Sequence, residues 1–350
     1  MRSGPGCFAG RATVLKYALK QPASSLMGEK PKLPLMLQAE TAATAVEHLE
    51  RWTIMAQEAF AQNTLRAWRA DWRQFCAFCH RSFAITLPAQ EQTVRDYVFD
   101  CIARGKKAAT IRRYVATIGR AHRAAGKTDP TATEAVKLAM KTMSRTLPAR
   151  QHQARGLVWA EIAKFLEFKP RHLRDIRDRA LVTVAYDTMC RRQELVSLRI
   201  EDLAPADAGS ATILLRRSKT DPAGEGARVY LSALTVRLLE DWLSAAHLQT
   251  GPLFAQVQGK DVLGGPISAQ VVTAVLKRAG RWADIEDWKH LSGHSARVGA
   301  TQDLLALNMD LPSVMQAGRW KDVRMPMRYG EHLQAKRSAM ARAAKAQGRA

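Results

Sequence analysis

The stretch Ser292–Tyr329, SGHSARVGATQDLLALNMDLPSVMQAGRWKDVRMPMRY, constrains this chain more than any other. His294 and Arg297 stand three residues apart in a helical pattern, so an imidazole and a guanidinium point the same way. Pro312 suits the first turn of a second, short helix, and Gly318 suits its end. Trp320 follows just past that end, and Tyr329 lies nine residues further on. Arginine grips two phosphate oxygens at once, and indole N–H can only donate, so this set suits a single anion. Taken singly, an H-x-x-R pair is an ordinary solvated helix face and a lone Trp or Tyr is ordinary core. The combination with an upstream arginine and lysine carries the reading.

Charge points the same way. The formal net charge is +22 and the pI about 10.3, a surplus that predicts a polyanionic partner, nucleic acid before an acidic membrane surface. Hydrophobic residues make up 47% of the 350 positions, enough for packed cores and a length that favours two domains. No apolar run approaches the ~20 residues that span a bilayer. The first twenty residues hold no apolar core of signal-peptide length, so the expected location is the cytoplasm, in association with the nucleoid. The five cysteines (Cys7, Cys76, Cys79, Cys101, Cys190) are odd in number and scattered, against a disulfide framework.

Residues 1–44 carry Pro22, Pro31 and Pro34 without sustained periodicity and are expected to be disordered. Residues 45–143 turn helical, with Leu65, Trp68, Trp72, Phe75 and Cys79 at spacings of three and four. Asn63-Thr64 is the expected N-cap of that helix, and Arg66, Arg69 and Arg73 share its other side. Cys76-Ala-Phe-Cys79-His80 matches a haem-attachment pattern, but it falls inside the helical stripe and reads as packing. A helix over Thr110–Arg123 is expected to bury Ile111, Val115 and Ile118 and to show Arg113, Thr117 and Arg120. Between Cys101 and Arg155 there are 13 Lys/Arg, Arg112 among them, against two acids, a bias better explained by a phosphate backbone than by a solvated face. Residues 144–155 lack periodicity, contain Pro148 and read as an extended basic linker that crosses DNA.

The second domain, 156–350, opens with helices over Trp159–Phe168 and Leu173–Thr188. Arg191 and Glu194 then stand at i and i+3, close enough for the carboxylate to hold the guanidinium, or to form an ordinary surface pair of little worth. Ala211–Arg217 and Ala227–Ser232 are strand-like, joined by a turn-rich link with Lys219 at the tip, hence a β-hairpin. Helices follow over Thr235–Leu248 and Ser268–Gly280, and the GG and GxG fragments between them need no phosphate-loop reading. The end of the chain, Glu331–Ala346, is helix-prone with Leu333, Met340 and Ala343 on one stripe.

Arg191-x-x-Glu194-Leu195, Ser218-Lys219-Thr220, GHSARVGA, QAG-x-W and the final tyrosine together resemble the tyrosine recombinases, the phage integrase family, over residues from about 45 to 345. Most of that family has histidine where this chain has Trp320. The resemblance implies a mainly α, two-domain C-clamp, with a helical core-binding domain on one face of DNA. An α-rich catalytic domain with a small antiparallel β-sheet takes the other. It implies a nucleophilic Tyr329, Arg191 and Arg297 on the non-bridging oxygens, Glu194 as support, His294 and Trp320 as proton donors or relays, and Lys219 as general acid. DNA contacts are expected from Arg66, Arg73, Arg112, Arg113 and Arg120, with base reading by Gln270, where some members place an arginine. Neither a cofactor nor a metal is expected, since no Asp/Glu cluster resembles a two-metal site. The expected partners are double-stranded DNA bearing an inverted-repeat site and three further copies of the chain, docked through the C-terminal helix; no membrane or small-molecule substrate is expected. Two other readings share features: a type IB topoisomerase that relaxes DNA as a monomer, and a DNA-binding protein that has lost its chemistry.

Overall fold

In the computed structural model, the described residues are 47–48, 51–148, 150, 153–218, 221 and 224–349. The extension 1–44, expected to be disordered, lies outside them. The chain divides into two compact units, Met1–Gln151 and His152–Ala350, and is mostly helical. No helix among the described residues is long and apolar enough to cross a membrane.

The first unit is built from α1 (51–59), α2 (Gln62–Arg81), α3 (Glu91–Ala103), α4 (Ala108–Ala124) and α5 (Glu134–Thr146). Helix α2 packs on α4 and α3 on α5. Phe75, Phe78 and Cys79 on α2 meet Tyr97 of α3 and Ile111, Val115 and Ile118 of α4, the stripe that periodicity predicts. The expected cap is displaced. Helix α2 starts after Ala61, whose carbonyl takes the N–H groups of Thr64 (2.8 Å) and Leu65 (3.2 Å), so Asn63 and Thr64 lie inside the first turn. Cys79 is fully buried, and burial pushes the Cys79 thiol up to about 11 and that of Cys76 to about 12, as suits packing groups. His122 is buried too. Its Nε2 accepts the Ala89 N–H (2.8 Å) and its Nδ1 lies 2.8 Å from the Ile118 carbonyl, which selects the neutral Nδ1–H tautomer. Burial also holds its pKa below the ordinary value, outweighing the hydrogen bond to Ile118.

The seam between α2 and α4 differs from expectation. Thr117 is buried, not shown, because its hydroxyl (3.3 Å) and the Arg113 guanidinium (2.8 Å) both serve the carboxylate of Asp71, which is 2% exposed. Arg120 lies flat over Trp68, 4.0 Å from the ring centroid, a cation–π contact across the same seam. Helix α5 runs past residue 143 into the expected linker, with Ser144 and Thr146 hydroxyls bonded back to Met140 and Thr142 carbonyls. Arg155, at the end of the expected linker, has partners of its own. It is held inside the second unit by Glu161 (2.5 Å) and Asp287 (2.6 Å).

The second unit contains α6 (Trp159–Glu167), α7 (Leu173–Asp187), α8 (Arg192–Ser197), β1 (Leu203–Pro205), β2 (Ala211–Leu215), β3 (Ala227–Leu231), α9 (Ala233–Ala245), β4 (Ala255–Gln258), β5 (Asp261–Pro266) and α10 (Ala269–Trp282). Helices α11 (Ser295–Ala306), α12 (Leu311–Gly318), α13 (Arg324–Tyr329), α14 (Glu331–Lys336) and α15 (Ala339–Ala346) follow. Helix α7 is the centre: residues 180–185 are all buried, and α6, α9, α10 and α11 pack on it. Trp242 on α9 is fully buried and its Nε1–H reaches the Leu253 carbonyl (2.9 Å).

Strands β1, β2 and β3 form an antiparallel sheet in that order, with Ile213 opposite Val229 and alternate residues of β2 buried. Strands β4 and β5 form a second hairpin that periodicity did not indicate, because Gly264-Gly265-Pro266 is poor strand sequence and only pairing with Ala255–Gln258 orders it. The tail is also broken, not one helix. Arg337 turns back onto the carbonyls of Leu305 (2.6 Å) and Ala306 (2.8 Å), and Ser338 caps the Ala341 N–H to start a new helix.

Burial holds the Asp71 carboxyl above its ordinary pKa, with Arg113 pulling it down. Arg113→Ala should therefore cost about 1–3 kcal/mol, the cost of a buried acceptor stripped of its partner. A raised folded-state pKa means stability falls as pH rises above the unfolded value near 3.8, so the Arg113→Ala loss should be larger at pH 7 than at pH 4. Adding Asp71→Asn should recover part of it. Thermal melts at the two pH values check this, and a pH-independent loss refutes it.

Candidate active site

Four separate segments of the second unit converge. The loop after α7 delivers Arg191 and α8 delivers Glu194, which is 4% exposed. Glu194 Oε1 takes the Arg191 Nη1 (2.7 Å), and Oε2 takes the Arg191 backbone N–H (2.9 Å), so the guanidinium is fixed at both ends of its own residue. This is a half-buried built pair, not an ordinary surface pair. Burial drives the Glu194 carboxyl up, but the Arg191 N–H groups and the charges of Arg191 and Arg319 outweigh it and hold the group below the usual carboxylate range.

Arg297, on the second turn-facing position of α11, is 2% exposed. Its Nη1 donates to the Met189 carbonyl (2.6 Å) and its Nη2 to the Gly318 carbonyl. Helix α11 can approach this closely because Gly299 lies against Leu157: a Cβ there would stand 1.9 Å from the Leu157 carbonyl oxygen. Leu157 N–H bonds the Ser295 carbonyl (2.9 Å), and Asp303 accepts from Trp159 N–H (2.7 Å) and Tyr186 OH (2.5 Å), tying α11 to α6 and α7. Burial, then the neighbouring charges of Arg191 and Arg319, pull the Arg297 pKa down to about 10, still protonated at neutral pH.

The turn after α12 completes the set. Arg319 adopts φ 55°, ψ 44°, with Arg319 N–H bonded to Gln316 O and Trp320 N–H to Met315 O, a left-handed helix ending. The chain thereby folds Trp320 back over Gly318, where a Cβ would come 2.0 Å from the indole. The Trp320 ring lies 4.3 Å from the Arg297 guanidinium carbon and meets the Tyr329 ring edge to face at 5.9 Å. Tyr329 ends α13, and its carbonyl accepts from Gln153 (3.2 Å) and Gln302 (3.2 Å). His294 is the residue before α11 and is exposed. Partial desolvation and then Arg297, Arg192 and Arg191 hold its imidazole below its ordinary pKa, so it is neutral at pH 7 and can donate from one nitrogen while accepting at the other.

The structure thus brings Arg191, Glu194, His294, Arg297, Trp320 and Tyr329 together. Lys219 lies outside the described residues. Beside it, Ser218 and Asp221 pair across the hairpin, and the Asp221 carboxylate gathers the N–H groups of Gly224, Glu225 and Gly226. Gln270 is the exposed second residue of α10. The arginines named for DNA belong to the first unit and are not equivalent: Arg66 is exposed, Arg73 leans on the Arg69 carbonyl (3.4 Å), and Arg112 reaches Ser144 (3.1 Å). Arg113 and Arg120 serve the α2–α4 seam. Arg319 is the residue that sequence reasoning missed, since it fills the x of QAG-x-W, to which no role was given. A cation placed directly after a helix-ending glycine was the available signal. It bonds Glu194 (3.2 Å) and the Thr188 carbonyl (2.9 Å). Three guanidinium groups against one carboxylate leave a net positive cluster, which suits an oxyanion.

Comparisons with known proteins bear on the family and the fold. Residues 157–336 match the phage integrase family, and residues 49–127 match the phage integrase N-terminal SAM-like domain. The chain is 28% identical over 305 residues to recombinase cre of Escherichia phage P1, covering 82% of this chain and 89% of that protein. It is 28% identical over 302 residues to an integrase/recombinase xerD homolog of Selenomonas ruminantium, covering 82% and 87%. Among solved structures, a XerH site-specific recombinase bound to a palindromic difH substrate in a post-cleavage complex shares the fold at TM-score 0.62 and 16% identity, over 87% of this chain and 89% of that one. With the family match spanning more than half its length, the chain belongs to the phage integrase family, the tyrosine recombinases.

Proposed function

We propose that this chain is a site-specific DNA recombinase that cuts and rejoins duplex DNA through a 3′-phosphotyrosine. The observation that carries the reading is the net-positive cluster of Arg191, Arg297 and Arg319, only partly balanced by Glu194, beside the Tyr329 ring. In this reading the Tyr329 phenol attacks the phosphodiester, forming one P–O bond as the bond to the 5′-oxygen breaks. Arg191 and Arg297 hold the non-bridging oxygens as negative charge builds on them. His294 takes part in moving the phenolic proton, and Trp320 donates its N–H to the phosphate. Lys219 gives a proton to the departing 5′-oxygen. The bond energy stays in the tyrosyl ester, so a 5′-hydroxyl from a second strand reverses the step without ATP, by way of a Holliday junction.

The same reading assigns the helical domain expected over residues 45–143, which lies in the first unit, to the DNA backbone and Gln270 to a base edge in the major groove. The XerH relative acts on a palindromic site, which supports an inverted repeat here. Four protomers on two sites, joined through the tail after Tyr329, complete the proposal. Met340 stands 69% exposed on α15, available for such docking.

Incubating the protein with a randomised inverted-repeat duplex library, denaturing, and sequencing the covalently held DNA tests the reading. The parent should return one converged half-site. Tyr329→Phe should shift that duplex on native gels yet give no adduct on denaturing gels; an adduct in this variant defeats the assignment. Sequence-indifferent relaxation of supercoiled plasmid favours a topoisomerase instead.

Lys219 is tested by leaving-group chemistry. An alkoxide is a poor leaving group, whereas a thiolate, with a thiol pKa near ~8.5, leaves unaided. Lys219→Ala should cleave the recovered site at least about a hundredfold slower, within the usual worth of general acid catalysis. It should regain near-parental rates when sulfur replaces the bridging 5′-oxygen. Arg191→Ala should not be rescued, and equal rescue of both variants removes Lys219 as the acid. Finally, Gln270→Arg should move one position of the recovered half-site from A·T toward G·C, a discrimination of roughly 1–3 kcal/mol. Recovery of the unaltered consensus refutes that contact.

A further inference from the structure

Arg319 occupies a conformation that L side chains rarely adopt, φ 55° and ψ 44°, at a helix end where glycine would sit without strain. Its side chain is 12% exposed, and its Nε–H is buried without a hydrogen-bond partner among the described residues. Both features are unfavourable, and an arginine that only ended a helix would carry neither. What the side chain does gain is specific. Nη2 reaches Glu194 Oε2 (3.2 Å), the same oxygen that takes the Arg191 backbone N–H, and Nη1 reaches the Thr188 carbonyl (2.9 Å).

We propose that Arg319 is a positioning residue for strand cleavage: from the left-handed end of α12 it clamps Glu194, and through Glu194 it sets the Arg191 guanidinium. The inference rests on the recombinase reading and adds to it a residue that acts through Glu194. Glu194 has one oxygen for the Arg191 side chain and one shared by the Arg191 backbone and Arg319. Remove Arg319, and the carboxylate loses one of two cations and its anchor to Thr188. It can then rotate, and the Arg191 head rotates with it.

A second consequence is a shift in acid tolerance. Glu194 must be ionised to hold two guanidiniums, and Arg319 is one of the charges that lower its pKa. Around it stand Arg191 and Cys190 on its own segment, Arg297 and His294 from α11, and Arg319 from the end of α12. Burial pushes the Cys190 thiol up, so it stays neutral. Losing Arg319 therefore raises the Glu194 carboxyl and should move the acid limb of the cleavage profile to higher pH.

The test uses the full chain and a nicked duplex carrying the half-site recovered by covalent capture. Adduct formation by the parent and its absence in Tyr329→Phe first establish the recombinase reading; if the parent forms none, that reading fails before Arg319 is at issue. Single-turnover adduct formation is then followed across pH for Arg319→Gly, Arg319→Lys, Glu194→Gln and Arg319→Gly/Glu194→Gln. We expect Arg319→Gly to remain folded, because glycine relaxes the backbone, and its duplex affinity is measured alongside so that rates are compared at saturating protein. Its rate should fall at least about tenfold, with the acid limb displaced upward, a coupling of the size found between groups in one network. Arg319→Lys, which keeps the charge without the fork, should fall between. In the Glu194→Gln background Arg319→Gly should cost little more. A parental rate and pH profile in Arg319→Gly overturns the proposal, and so does an undiminished Arg319→Gly loss in the Glu194→Gln background.

Discussion

The second unit depends on one buried guanidinium. Burying a charge is expensive unless its donors are met, and Arg297 meets them with two backbone carbonyls, Met189 and Gly318. Those carbonyls belong to the turn after α7 and the last residue of α12, so a single side chain fixes two segments far apart in sequence. Met189 presents its carbonyl from a left-handed backbone, φ 49°, as Arg319 does at φ 55° on the other side. Trp320 then lies over the guanidinium, and Tyr329 against Trp320. Each position follows from the one before it.

The cost of this arrangement is electrostatic. Arg191, Arg297 and Arg319 crowd together with Glu194 as the carboxylate that pairs with two of them among the described residues, and burial and then the neighbouring charges lower the proton affinity of Arg297. Like charges held together without full neutralisation leave a net positive cluster of the kind that suits an oxyanion. Partial desolvation, and then the same field, lower the His294 pKa and so favour the neutral imidazole. Backbone hydrogen bonds and a buried carboxylate hold the cations in place, so the cluster is already organised.

In the first unit, charge and packing are not separable. Arg113 neutralises a buried aspartate and Arg120 covers Trp68, so two of the arginines that composition assigns to phosphate also hold α2 to α4. A half-exposed Arg113 can do both, since a guanidinium has five N–H donors and Asp71 takes one face of it. The count of cations along this segment therefore overstates the number available for phosphate alone.

The sequence by itself determined the central helices of both units, because the apolar residues at Phe75–Cys79, Ile111–Ile118 and 180–185 have nowhere else to go than a core. It also determined the chemical roll of the site, since Arg191, Glu194, His294, Arg297, Trp320 and Tyr329 stand in recognisable local motifs. It did not show how those motifs meet. The β4–β5 hairpin, the break at Arg337–Ser338 and the burial of Thr117 all follow from partners distant in the chain, which local propensity does not register. Arg319 is the clearest case. In sequence it is the x of QAG-x-W, after a glycine; only folding brings it within reach of Glu194, 125 positions earlier, because a left-handed helix end and a short capped helix happen to face each other across Arg297.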